Sequence, residues 1–222
     1  MVERTLILLA SNSPRRRKLI ALGNWMFSAA ASDVDESVRP GEAPADYVLR
    51  LAEEKARTAM TKARLEHIIV AADTTVVDAN KILGKPEDMR EAIEMLKGLR
   101  GHSHQVYTGL AMLRMSDRQL LTDLCITDVP MRNYSDEEIN AYVMTGDPLD
   151  KAGAYAIQSA FQPVENLKGC FASVMGLPMC HLVRLLAKIG ITPNADVPAN
   201  CQTYLEYKCP VSAAILHGEQ VG

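Results

Sequence analysis

Leu6-Ile7-Leu8-Leu9-Ala10-Ser11-Asn12-Ser13-Pro14-Arg15-Arg16-Arg17-Lys18-Leu19-Ile20-Ala21-Leu22-Gly23 is the stretch whose reading decides the fold. Its first five residues are a continuous apolar run ended by Ser and Asn, the pattern of a short buried strand. Ser13 then stands at an N-cap and Pro14 at the first helical position, where a missing N–H costs nothing, and Gly23 supplies the stop. The chain therefore passes from strand to helix within four residues. A helix start presents unpaired N–H groups and about half a positive charge, which attracts anions. Arg15, Arg16, Arg17 and Lys18 in the first turn oppose that dipole unless an anion is held against them; a solvated basic face reads from the same residues.

Working outward, residues 33–44 are polar and carry Pro40, Gly41 and Pro44, the composition of a loop that delivers Asp35 and Glu36. A helix is predicted from about Ala45 to Ala63, with Val48, Leu51, Ala52, Ala56 and Ala59 at helical spacing and Lys55 on the same stripe. Ile68 to Ala72 and Val76-Val77 read as a strand interrupted by Asp73-Thr74-Thr75, and Asp78 to Lys81 turns the chain back into Ile82-Leu83. Glu87 to Leu99 is helical by period. Two extended segments follow, about His104 to Arg114 and Leu120 to Arg132. Ser135-Asp136-Glu137-Glu138 is a capping box opening a helix to Thr145. Strand-like segments are expected around Pro163 to Leu167 and Cys170 to Met175, then a last helix from about Pro178 to Ile189. Interleaved strands and helices make an α/β class. The returns at Asp78 to Lys81 and around Lys168-Gly169 make the sheet mixed rather than parallel.

Asp73 is the strongest pointer to chemistry. A carboxylate between Val70-Ala71-Ala72 and Val76-Val77 is partly desolvated, which is costly unless it is paired, metal-bound or protonated, and such acids cluster at catalytic sites. A strand-end Asp capping a turn with Thr74 is the plainer alternative. Lys55 on an apolar stripe snorkels in the ordinary case. Lys85, held extended before Pro86, becomes a second clamp only beside a phosphate site. Glu36 shares its loop with Asp33 and Asp35, which reads as a solvated acidic loop in the ordinary case, but with Asp73 on a strand it suits Mg²⁺, commonly bound by one or two carboxylates plus substrate phosphates. Neither a G-x-x-x-x-G-K-[ST] loop nor a G-x-G-x-x-G fingerprint is present, and nucleophile signatures are missing, so an activated water is favoured over a covalent intermediate.

Composition narrows the class. With 222 residues, 48% apolar and 23% charged, the chain can bury a sizeable core. A net charge of -3 argues against a protein that coats nucleic acid, which needs a broad basic surface. No stretch approaches the ~20 apolar residues of a membrane span, and Met1 to Ala10 lacks a signal-peptide pattern. Cys125, Cys170, Cys180, Cys201 and Cys209 form no C-x-x-C pair, which disfavours a disulfide framework or zinc site and fits thiols in a reducing cytoplasm.

The ordered set Leu9 to Arg16, Asp33-Val34-Asp35-Glu36, Arg50 to Ala56, Ala72-Asp73-Thr74, Leu83-Gly84-Lys85-Pro86, Tyr107-Thr108-Gly109, Gly146 to Gln158 and Val174 to Pro178 resembles the Maf family of nucleoside triphosphate pyrophosphatases, from about Leu6 to Ile189. The resemblance implies a mixed, twisted sheet flanked by helices around a central cleft, similar to inosine triphosphate pyrophosphatases. It also implies hydrolysis between the α and β phosphates with a divalent metal (Mg²⁺ or Mn²⁺), in a cytoplasmic homodimer. Carried over by position, Asp73 is the general base and Glu36 a metal or water-positioning acid, the two acids being the metal ligands. Lys55 and Lys85 contact phosphates, and Ser11, Ser13, Arg15 and Arg16 line the triphosphate end.

Members of that family acting on 7-methyl-GTP carry Trp, Gln and Ser-Glu where this chain has Arg15, Thr74 and Ile157-Gln158, so it resembles the subgroup acting on dTTP and UTP, with CTP or modified pyrimidine nucleotides as further candidates. Gln158, both donor and acceptor, suits a pyrimidine edge. The expected organisation is one domain over residues 1–190, in a single body or two lobes around a cleft, and a C-terminal tail over 191–222 in which the sequence shows no chemistry. The competing readings are a 7-methyl-GTP pyrophosphatase, a non-catalytic nucleotide-sensing regulator of cell division, and RNA binding by Arg15 to Lys18, which the net charge disfavours.

Overall fold

The computed structural model describes residues 6–222; the reading of Met1 to Thr5 falls outside the described residues. One six-stranded sheet has the order β2-β1-β3-β5-β6, with β4 paired to the far end of β3. Its strands are β1 (Leu6–Leu9), β2 (Met26–Ala29), β3 (His67–Asp78), β4 (Lys81–Leu83), β5 (Ser103–Arg114) and β6 (Leu120–Pro130). β1 runs parallel to β2 and β3, whereas β3, β4, β5 and β6 pair antiparallel. The mixed α/β class is as expected. The expected return at Lys168-Gly169 is not a hairpin: Val164 makes one isolated bridge to Met131, and Phe171–Val174 is a single helical turn, α5 in chain order. A short apolar run reads equally well as buried strand or buried helix, and burial alone satisfied it here.

The helices preceding α5 are α1 (Pro14–Ala21), α2 (Pro44–Thr58), α3 (Met89–Leu99) and α4 (Asp136–Val143). Those after it are α6 (Met179–Ala187), α7 (Val197–Leu205) and α8 (Ser212–Leu216). Ser13 caps α1 with Pro14 in its first turn, and Ser135 with Glu138 forms the capping box of α4. β3 is continuous through Asp73-Thr74-Thr75, where the sequence reads as a break. Its ladder to β5 runs unbroken, Asp73 facing Gly109 and Thr74 facing Thr108, so the backbone is satisfied whatever the side chains are.

Alternation along the strands splits the core in two. Ile7 and Leu9 with Ile68, Val70 and Ala72 face the layer holding α1, α3, α4 and α6, where Leu19, Leu96, Ile139 and Leu182 are buried. Leu8 with Ile69 and Ala71 faces Ala52 and Ala56 of α2. α2 lies close on β5: a Cβ added to Gly109 would meet the Val48 carbonyl oxygen at 2.5 Å. The residues after Gly190 fold onto this body, α7 beginning at Val197 behind the N-cap Asp196, whose carboxylate accepts from Ala199 N–H, and α8 lying against α6.

Candidate active site

Strand lengths create the site. β1 ends at Leu9, opposite Val70, while β3 runs on to Asp78. In the gap beyond β1, both faces of β3 open into one cleft of about 470 Å³ at the C-terminal ends of the parallel strands, where open α/β sheets bind ligands. Parity then allots the side chains. Asp73 continues the Ile69 and Ala71 face towards α2, and Thr74 continues the Val70 and Ala72 face towards α1.

On the α2 side, the Lys55 ammonium donates to Asp73 Oδ1 and to Glu36 Oε1, each at 2.6 Å. Lys55 is not a snorkelling lysine: it and Asp73 are buried, while the Glu36 side chain is about half exposed, at 49%. The loop carrying Glu36 is pinned to α2, since Tyr47 OH donates to the Glu36 carbonyl at 2.9 Å and Arg50 Nη2 to the Ser37 carbonyl at 3.1 Å. Burial pushes the Glu36 carboxyl up, but Lys55, Lys85 and Arg16 together hold it below its ordinary value, so it is ionised at neutral pH.

On the α1 side, Arg16 Nε donates to the Gly176 carbonyl at 2.8 Å and Nη2 to Thr74 Oγ1 at 3.2 Å. Thr108 gives its proton to the Ser173 carbonyl at 2.9 Å, so in the 3.0 Å Thr74–Thr108 pair it is Thr74 that donates. The result is a directed chain from Arg16 through two hydroxyls to the backbone, fixing the guanidinium. Gly176 has φ +107°, and a Cβ there would lie 3.2 Å from Arg16 Nε, so only glycine lets this backbone approach. Burial lowers the Arg16 pKa, opposed by Asp73 and Glu36.

Ser13, Arg15, Arg16, Glu36, Lys55, Asp73, Thr74, Lys85 and Gln158 all line the cleft. Lys85 is exposed, and its side chain, like those of Arg15 and Gln158, makes no hydrogen bond among the described residues. Ser11 is not on the wall: it is buried in the turn and its hydroxyl accepts from Ser13 N–H at 3.1 Å, shaping the helix start. Sequence reasoning gives Asp147, Asp150, Lys151 and Tyr155 no role, yet they also line the cleft. Their signal lies in the run Gly146 to Gln158, whose charged residues carry no periodicity that marks them as a wall.

Glu36 and Asp73 each offer an oxygen not bonded to Lys55, on carboxylates that meet the same nitrogen. Two hard oxygen donors in a cleft that also holds Arg15, Arg16 and Lys85 for phosphates fit Mg²⁺ or Mn²⁺ completed by substrate oxygens. Among the described residues no group of three or more acidic, His or Cys side chains forms a self-sufficient metal site.

The sequence profile described as "Maf-like protein" matches residues 6–189. The chain belongs to the Maf-like family. Curated relatives are similar over nearly their whole length. The dTTP/UTP pyrophosphatase of Geobacter sulfurreducens is 48% identical over 85% of this chain and 99% of its own. The one of Hahella chejuensis is 47% identical over 86% and 95%. Among solved structures, the Staphylococcus aureus Ham1 protein aligns at 14% identity with a TM-score of 0.40, over 57% of this chain and 72% of its own, and adds nothing to the topology read from the strand pairing. Among the described residues no helix of this Maf-like chain is long and apolar enough to cross a membrane.

Proposed function

We propose that the chain is a nucleoside triphosphate pyrophosphatase that opens dTTP and UTP between the α and β phosphates, releasing the monophosphate and pyrophosphate. The observation that carries this reading is the Lys55 ammonium bound to Asp73 and Glu36 on a cleft rimmed by Arg15, Arg16 and Lys85, in a chain 48% identical to a dTTP/UTP pyrophosphatase. Asp73 Oδ1 is taken by Lys55, which leaves Oδ2 to accept a proton from the attacking water. Water's oxygen joins phosphorus, its proton goes to Asp73, and the bridging oxygen departs with pyrophosphate. Arg16, Arg15 and Lys85 meet the negative charge that gathers on the phosphoryl oxygens. Glu36 and Asp73 would hold a divalent cation that would neutralise phosphate charge; Oδ2 carries two lone pairs, so Asp73 can serve the cation and still accept the proton. Ser13 offers the helix N-terminus to phosphate, and Ser11 acts through Ser13.

Arg15, Thr74 and Gln158 share the cleft, which supports the pyrimidine nucleotide subgroup; Thr74 acts through Arg16, and Gln158 faces the base. The chain works as a cytoplasmic homodimer in this reading, its five cysteines all free. The test is pyrophosphate release from dTTP, UTP, CTP and 7-methyl-GTP with Mg²⁺ or Mn²⁺, beside Asp73→Asn, with mass measured by light scattering. Preference for dTTP and UTP, abolished in Asp73→Asn with nucleotide binding retained, is expected. Preference for 7-methyl-GTP overturns the subgroup, and turnover by Asp73→Asn overturns the mechanism.

A further inference from the structure

Lys151 is a buried cation on the cleft wall that has no proton to offer a phosphate. An ammonium carries three donors, and these go to the Asp147 carbonyl at 2.5 Å, Asp147 Oδ1 at 2.9 Å and Asp150 Oδ1 at 2.6 Å. It closes residues 147–151 on themselves. The second Asp147 oxygen accepts from Tyr142 OH at 2.7 Å, and that same hydroxyl oxygen accepts from the Ala156 backbone N–H at 3.3 Å. Tyr142 itself is outside the cleft, on α4, its ring stacked on Phe161 at 4.5 Å and 14°. One hydroxyl therefore ties the Lys151 loop to the backbone two residues before Gln158.

We propose that Tyr142 is a positioning residue for nucleobase recognition: the relay from Lys151 through Asp147 and the Tyr142 hydroxyl to Ala156 N–H fixes where Gln158 presents its amide. The inference rests on the reading that Gln158 meets the base. Gln158 is exposed and bonded to nothing among the described residues, so its aim is set by its backbone. That backbone is held upstream by Gly153 N–H on the Gly84 carbonyl at 3.0 Å, and at Ala156 by the Tyr142 bond. Asp147 stays an acceptor throughout the neutral range: burial raises its pKa, but Lys151 and Tyr142 outweigh this and hold it below its ordinary value. Arg15, which marks the nucleotide subgroup, stands within electrostatic reach of the same carboxylate. Asp147 therefore faces both the relay to Gln158 and the phosphate-side Arg15.

The test is steady-state kinetics of Tyr142→Phe, which keeps the stacked ring and deletes only the hydroxyl, on dTTP, UTP and 7-methyl-GTP. KM for dTTP is expected to rise roughly five- to tenfold, the loss typical of one hydrogen bond. Discrimination against 7-methyl-GTP should fall by a similar factor, with kcat within about twofold. Asp147→Asn, which breaks the relay one step earlier, should shift discrimination in the same direction, and its melting curve shows whether it is folded. Gln158→Ala runs beside them. If Gln158→Ala loses discrimination and the folded relay variants do not, or if their loss is in kcat alone, the relay is overturned. If Gln158→Ala keeps full discrimination, the assignment of Gln158 to the base fails, and the relay's purpose fails with it.

Discussion

Removing Lys55 tests the centre of the site, because one nitrogen holds both acids. In Lys55→Met the buried Asp73 loses its one ion-pair partner among the described residues, while Glu36, 49% exposed, keeps water. Breaking a buried pair from one side costs about 3–5 kcal/mol. The Asp73 side chain is 10% exposed and opens on the cleft, so water relieves part of this and the expected loss is about 3 kcal/mol. For a chain of this size that lowers the melting temperature by roughly 6–12 °C. Asp73→Asn is milder, about 1–2 kcal/mol, because Lys55 keeps Glu36 and exchanges a carboxylate oxygen for an amide oxygen. The double variant Lys55→Met/Asp73→Asn removes cation and anion together, so it should be less destabilised than the sum of the singles by about 1–2 kcal/mol. Urea unfolding of the four proteins at pH 7.5, without nucleotide, measures this cycle. A Lys55→Met loss below about 1 kcal/mol, or additive single effects, would refute the view that a buried ion pair organises the site. The same proteins should lose turnover: removal of a general base costs roughly 10²–10⁴-fold.

Thr74→Val cuts the Arg16 bond to Oγ1 and should raise KM for the triphosphate roughly five- to tenfold with little change in stability, measured by initial rates. Gly176→Ala adds a Cβ 3.2 Å from Arg16 Nε at φ +107°, so it should weaken nucleotide binding and also destabilise by about 1–3 kcal/mol, read by calorimetry and melting. Gly109→Ala drives a Cβ to 2.5 Å from the Val48 carbonyl and should lift α2, and Lys55 with it, off the sheet. A loss of about 1–3 kcal/mol together with activity is expected, against stability alone for overpacking remote from the site. Glu42 is held down to about 2 by its bonds to Arg50, which also carries the Glu36 loop. A depressed carboxyl stabilises above its unfolded value and loses that contribution as pH falls through the folded one. Glu42→Gln should therefore be less stable than the natural chain at neutral pH and converge with it as acid approaches pH 2, in unfolding curves taken across that range.

Where local rules suffice, the sequence could be read directly. Ser13-Pro14 and the Ser135 to Glu138 box declare their helices within one turn, and both caps form. The readings that failed depended on partners far along the chain. Asp73-Thr74-Thr75 has the composition of a turn, but ten consecutive β5 residues pair with β3 and hold it extended. β2 went unpredicted because Met26–Ala29 is an exposed strand at the sheet edge, with no alternation to betray it. In the tail, Pro193, Pro198 and Pro210 look like breakers, yet Pro198 sits in the first turn of α7 behind an Asp196 cap, where proline is favoured. Of the site, the individual charges were visible and their pairing was not. Lys55 and Lys85 look alike in sequence, but one is spent on two acids and the other is exposed.

That pairing follows from strand register. β3 carries Ile68, Val70 and Ala72 to one layer and Ile69 and Ala71 to the other. The same parity sends Thr74 towards Arg16 and Asp73 towards Lys55. A slip of one residue would reverse every side chain of the strand. Asp73 would then point at the layer of α1, and Thr74 would be left beneath Lys55, stranding a buried ammonium with only the half-exposed Glu36. It would also turn the Ile68 to Ala72 alternation inside out, although both layers are apolar and tolerate similar residues. The hydrophobic pattern therefore selects the register only weakly in this stretch, and the charged pair adds to that choice. Lys55→Met should loosen β3 near Asp73 as well as weaken the fold, so hydrogen exchange at Ala72, Asp73 and Thr74 should rise more than at Ile68 to Val70, where β1 still pairs. Uniform protection along β3 in that variant would show that the ladder to β5 sets the register alone.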